Sequence, residues 1–205
     1  KYKEKVLQNT KITTIKDYIE KISRVTEELK NETQCKMVCF RGEGEIYIEP
    51  GKPNLFRDNK LLENPLFEKN ILNEVISHNL TRNDNYLYSA INAQHGGFPS
   101  RLLDITFNSL VALFFAITPH FNQDVKSKDD KDGQVMIYAI DKMFSSSSSD
   151  LQKHYEDLIE DRHNNSLDRY VHRFIDFTSL NNRIKAQQGG LILFSDKKFF
   201  HNLNL

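Results

Sequence analysis

The chain has 205 residues, the length of one generous domain, and no compositional shift separates two halves. Apolar residues make up 39% and aromatics 11%, chiefly 14 Phe and 8 Tyr, enough to fill a core and to exclude wholesale disorder. Lys and Arg (28) balance Asp and Glu (28), so no bulk positive field holds a polyanion and any nucleic-acid binding has to come from a local cluster.

No run approaches the roughly 20 apolar residues that span a bilayer, and the opening Lys1-Tyr2-Lys3-Glu4-Lys5 has no secretory apolar stretch. The expectation is a cytoplasmic protein with no membrane partner, while the missing initiator Met leaves a longer parent chain open. Thr14 to Leu29 carries apolar residues at helical spacing, with Thr14 and Asp17 as a capped start. Lys36 to Phe40 and Glu45 to Ile48 read as short strands with Arg41-Gly42-Glu43-Gly44 between them. Cys35 and Cys39 fit buried, reduced thiols, since four residues apart on a strand they lie too far apart for easy bridging. Prolines and glycine around Leu55-Phe56-Arg57 make residues 49 to 65 an ordered loop.

Leu66 to His78 and Tyr86 to His95 are the next helices, the second stopped by Gly96-Gly97. Ser109 to Thr118 is apolar nearly all round and reads as a buried helix at the centre of the core. A polar loop over 122 to 133, a strand over Val135 to Ile140, a disordered run at Ser145 to Ser149, a weakly amphipathic helix over Leu151 to Arg162 and a strand over Leu191 to Phe194 complete the chain. The fold expected is α+β: a small, mostly antiparallel sheet from segments near 36–40, 45–48, 135–140 and 190–194, packed with several helices, one of them central and buried.

Polar and special residues concentrate between Gln94 and Thr106. Gln94, His95, Arg101 and Asp104 supply donors, a titratable ring and a carboxylate, and Thr106 or Asn108 can cap the next helix. This is the make-up of a small-ligand pocket. On the residues alone the simpler reading is an Arg101–Asp104 ion pair that ties a loop to the core. Arg41 beside Gly42 and Gly44 could bind a phosphate or carboxylate, or pair with Glu43 or Glu45 in a surface turn. Arg57 is similarly ambiguous, and Glu68 at a helix start complements the helix dipole. No metal-ligand set, P-loop or dinucleotide fingerprint occurs, so no metal is expected and no cofactor is assigned.

Taken together and in this order, the motifs resemble the FRG domain family. They are Phe40-Arg41-Gly42, then Leu55-Phe56-Arg57, Glu68, the run Gln94-His95-Gly96-Gly97-Phe98-Pro99-Ser100-Arg101-Leu102-Leu103-Asp104-Ile105-Thr106-Phe107-Asn108, Ala112-Leu113-Phe114-Phe115-Ala116, and a late Arg183, Gln187 and Gly189. The resemblance covers about 38 to 195 and implies one FRG-type domain over 1–205, with an N-terminal helix region over 1–30. The family is bacterial and phage-associated and its activity is not settled, so a fold name alone gives no reaction.

What the resemblance implies is one shared site. In it Arg41, Gly42, Arg57, Gln94, Ser100, Arg101 and Gln187 bind an anion, and His95, Glu68 and Asp104 are the acid–base groups. The first reading is an enzyme acting on a nucleotide, a dinucleotide or a nucleic-acid phosphate in a toxin or phage-defence setting. An ADP-ribosyltransferase-like chemistry is a minor variant, because Phe177-Thr178-Ser179 is a poor match to that fold's Ser-Thr-Ser strand. The alternatives are a non-catalytic sensor of an anionic ligand and a polar network that is purely structural.

Overall fold

The computed structural model describes residues 11–80, 85–118, 131–162, 172–176 and 188–195. Among them the chain runs through α1 (Ile15–Thr33), β1 (Met37–Glu43), α2 (Asn54–Arg57), α3 (Asn59–Leu62), α4 (Phe67–Ser77), α5 (Tyr86–His95), β2 (Leu102–Thr106) and α6 (Ser109–Ile117). It continues through β3 (Gln134–Ile140), β4 (Met143–Ser145), α7 (Ser149–Ile159), β5 (Arg173–Asp176) and β6 (Gly189–Leu193). The fold is α+β. The strand order is β3-β1-β2-β6-β5-β4; β1 pairs antiparallel with β2 and β3, β5 pairs antiparallel with β6, and β4 pairs parallel with β5. The chain forms two compact units, one of Lys1–Gly51, Ile105–Lys142 and Asn181–Gly189, the other of Lys52–Asp104, Met143–Leu180 and Gly190–Leu205.

In the first unit the Thr14 hydroxyl caps α1 by accepting the Asp17 N–H at 3.1 Å, and Tyr18, Val25 and Leu29 form its buried stripe. The Tyr18 hydroxyl donates to the Ser109 carbonyl at 2.6 Å, and burial pushes the phenol up to about 12. Seven consecutive pairs join β1 to β3, from Met37 opposite Ile140 to Glu43 opposite Gln134. Arg41, Gly42 and Glu43 therefore lie inside a strand, not in a turn. Residues 45–48 are not a strand: Ile46 and Ile48 face water, and nothing pairs with their backbone as a ladder. Cys35 lies outside β1 and Cys39 inside it; both are free thiols, and burial pushes that of Cys39 well up.

The helix α6 differs most from expectation. Only Ala112 and Ala116 are buried, while Leu110, Phe114, Phe115 and Ile117 are 51%, 59%, 36% and 69% exposed. The reason is backbone approach. A Cβ on Gly42 would sit 1.8 Å from the Ala112 carbonyl oxygen, and one on Gly133 2.0 Å from that of Ala116. The helix rests on two glycines through its own backbone and two alanines, which turns its large side chains outward. It is an apolar helix but not the buried centre of the core. Asn108 caps it, its Oδ1 accepting the Leu110 N–H at 3.0 Å.

In the second unit α4, α5 and α7 pack together. Leu151, Tyr155 and Ile159 of α7, four residues apart, are all fully buried, as are Leu87 and its α5 neighbours Ala90 and Ile91. Every residue of β6 is buried, and it reads accordingly as an unbroken apolar run. Two strands, β4 and β5, stand beside those expected, and β2 occupies part of the run read as loop. The serines expected to be disordered form a turn: Ser146 is buried and its N–H donates to Asp176 O at 3.1 Å, while the Ser148 N–H donates to Ser145 O at 3.0 Å. Short polar side chains suit a tight turn between β4 and α7.

The His172 ring lies 4.0 Å from that of Phe194, and burial pushes its pKa down from 6.5 to about 3. In the unfolded chain the imidazole takes up a proton as pH falls below about 6.5, whereas in the folded chain it stays neutral down to about 3. Its contribution to stability is complete above that window and shrinks as pH falls through it. His172→Leu is expected to flatten the acid side of a plot of melting temperature against pH, and an unchanged acid side would assign the sensitivity to other groups.

Candidate functional site

The signature residues fall into three groups. The first is a buried ion pair in the second unit. The α4 start places Glu68 inward at 3% exposure, where its carboxylate accepts Arg101 Nε at 2.6 Å, the Arg101 backbone N–H at 3.2 Å and the Tyr155 hydroxyl at 2.9 Å. The Arg101 guanidinium also stacks 5.9 Å from the centre of the Phe56 ring. Burial first, and then the negative Glu68 beside it, pushes the Tyr155 phenol well up, so it stays a neutral donor. Ser100 is fixed alongside: its Oγ accepts the Leu102 N–H at 3.1 Å and its carbonyl the Leu55 N–H at 3.3 Å.

The second group is Gln94 with Asp104. Gln94, in the last turn of α5, donates through Nε2 to Asp104 Oδ2 at 3.0 Å and to the Leu102 carbonyl at 3.4 Å. Its Oε1 is buried and meets no hydrogen-bond donor among the described residues. Asp104 itself is exposed, at the point of β2 flanked on both sides by buried residues. The Arg101–Asp104 pair expected from their spacing does not form. Arg101, just before β2, turns to Glu68 instead.

The third group is Arg41 in the first unit. Its Nε donates to Glu43 Oε1 at 3.1 Å, two residues on and on the same strand face. Glu43 is buried, and its carboxylate also accepts the Gly51 N–H at 3.3 Å and Gln134 Nε2 at 2.9 Å. Gly42 is where α6 approaches β1. Arg57, last in α2, is exposed and donates through Nε to the Lys52 carbonyl at 2.8 Å. Gln187, Arg183 and the His95 side chain lie outside the described residues.

The structure thus joins Glu68 to Arg101 and Gln94 to Asp104, and gives Arg41 to Glu43. Two partners escape a reading of the motifs: Tyr155 and the buried Glu43. Tyr155 left a signal, because a tyrosine on the core stripe Leu151, Tyr155, Ile159 needs an acceptor for its hydroxyl.

These features define an α+β protein with a polar cluster where the end of α5 meets β2. Residues 36–125 match the family model of the FRG domain. The matched segment holds Phe40-Arg41-Gly42, Glu68 and the whole run from Gln94 to Asn108; Arg183, Gln187 and Gly189 lie beyond its end. No curated protein and no solved structure matches the chain significantly. No described helix is long and apolar enough to cross a membrane.

Proposed function

We propose that the chain binds a nucleotide, a dinucleotide or a nucleic-acid phosphate and acts on it at the polar cluster around Gln94, His95 and Asp104. The setting is the bacterial cytoplasm, in toxin or phage-defence work. The Gln94 carboxamide supports this reading. Its Nε2 is committed to Asp104, so its buried Oε1 needs a donor, and an acceptor left unsatisfied costs about 1–3 kcal/mol. An N–H of a base or a hydroxyl of a ribose would satisfy it. Asp104, oriented by Gln94, and His95 would be the acid–base pair. Arg57 would hold a phosphate.

Glu68 and Arg101 take a different place in this reading. Their charges meet each other in the interior, so they buttress the segment that carries Asp104 instead of gripping the ligand. This keeps the structural alternative alive for that pair only.

The test is a thermal-shift and mass-spectrometric screen of the full chain against nucleotides, NAD and short RNA or DNA. His95→Ala and Asp104→Asn run alongside. A new product that both substitutions abolish, with ligand-induced stabilisation retained, is the expected result. Stabilisation with every ligand recovered unchanged would make the chain a binding module, and no response to any compound would overturn the reading. Arg41→Ala reports independently whether that guanidinium contributes to affinity.

A further inference from the structure

None of the residues of α6 is charged. Its inner face is Ala112 and Ala116, and its outer face carries Leu110, Phe114 and Ile117 at i, i+4 and i+7, a single exposed stripe. Phe115 flanks the stripe, its ring edge-on to Phe114 with centres 5.7 Å apart. A second exposed pair, Ile15 and Ile19, lies one turn apart on α1. Both begin at one junction, because Tyr18, next to Ile19, donates to the carbonyl of Ser109, next to Leu110.

These side chains leave roughly 600 Å² of apolar surface in water, the upper end of what the largest patch on a monomer exposes. Each partner of a standard interface gives about 800 Å², of which these side chains would supply most. We propose that it is the contact between two copies of this chain, related by a two-fold axis.

Three features favour a second copy as the occupant. An i, i+4, i+7 stripe interdigitates with an identical stripe turned by a two-fold, so the surface is complementary to itself. With no charge on α6, nothing is left unpaired or opposed to its own image at the axis. The chain's formal net charge is zero at pH 7, so no long-range repulsion keeps copies apart.

The experiment is sedimentation velocity of the full chain from about 1 to 200 μM, a span that brackets micromolar dissociation. The expected result is a mass that rises with concentration toward that of two chains. Phe114→Glu should weaken the dimer at least tenfold without lowering the melting temperature, and Leu110→Gln, a milder change, should weaken it less. A monomer throughout the range, or a dimer unaffected by both substitutions, overturns the proposal. So does a chain ending at Ser195 that dimerises when the full chain does not, because the face would then be covered by this chain's own segment 196–205.

Discussion

Gly42→Ala is expected to destabilise the protein by about 3 kcal/mol or more, a fall of roughly 10 °C in melting temperature for a chain of this size. The added Cβ would stand 1.8 Å from the Ala112 carbonyl oxygen and 2.8 Å from the backbone nitrogen of Ala116. Both are main-chain atoms of α6, which cannot rotate away as a side-chain tip would. The helix as a whole has to lift from β1. For the same reason Ala112→Gly should not rescue the variant, since trimming that side chain leaves its carbonyl in place. Thermal denaturation of the single and double variants decides the matter. A melting temperature within a degree of the parent would mean that the glycine after Arg41 is there for a ligand's approach and not for the helix.

The second large effect belongs to Glu68. Glu68→Gln leaves Arg101 a buried cation without its counter-charge, and breaking such a pair from one side costs about 3–5 kcal/mol. Tyr155→Phe, which removes one hydrogen bond to the same carboxylate, should cost only about 1 kcal/mol. Glu68→Leu combined with Arg101→Met should recover most of the loss, because an apolar pair of similar size needs no desolvation of charge. Urea denaturation of the three variants gives the ordering. If Glu68→Gln unfolds with the parent yet turns over no substrate, the carboxylate is a catalytic group and the buttress assigned to it is wrong.

Five of the seven described helices were legible from apolar spacing, some with a signal at one end, while the one-turn α2 and α3 fall inside the segment read as an ordered loop. Thr14 and Asp17 open α1, Asn108 caps α6, and Gly96-Gly97 ends α5; the Asn85 cap of α5 showed only in the fold. The strand β2 was hidden for the opposite reason. Leu102 to Thr106 sits just after Gly-Gly-Phe-Pro-Ser, and its turn chemistry masks a five-residue strand whose only mark is Leu-Leu-Asp-Ile-Thr. Likewise β4 and β5 are three and four residues long, too short for alternation to register.

Burial was misjudged where apolar content stood in for it. Both α6 and the isoleucines of α1 are hydrophobic enough for a core, but what a helix buries depends on what it meets, and α6 meets glycine through alanine. The candidate residues could be named from the sequence, but not the partners they take. Arg101 is 33 residues from Glu68, Tyr155 is 87 from Glu68, and only folding tells which carboxylate an arginine will use.

The ladder between β1 and β3 bears on where this protein can be cut. Glu43 stands 91 residues before Gln134, its opposite number, and all seven pairs span similar separations. Such pairing closes late, after the chain between has been made, and it holds folding rates down. During synthesis β1 leaves the ribosome long before β3 exists. The segment matched as an FRG domain ends at residue 125, short of β3. A fragment trimmed to those borders would keep the Phe-Arg-Gly strand and lose the one that pairs with it along its whole length, leaving a bare edge open to the same strand of another fragment. The borders that sequence similarity draws and those that hydrogen bonds draw are different, and an expressible fragment has to follow the second.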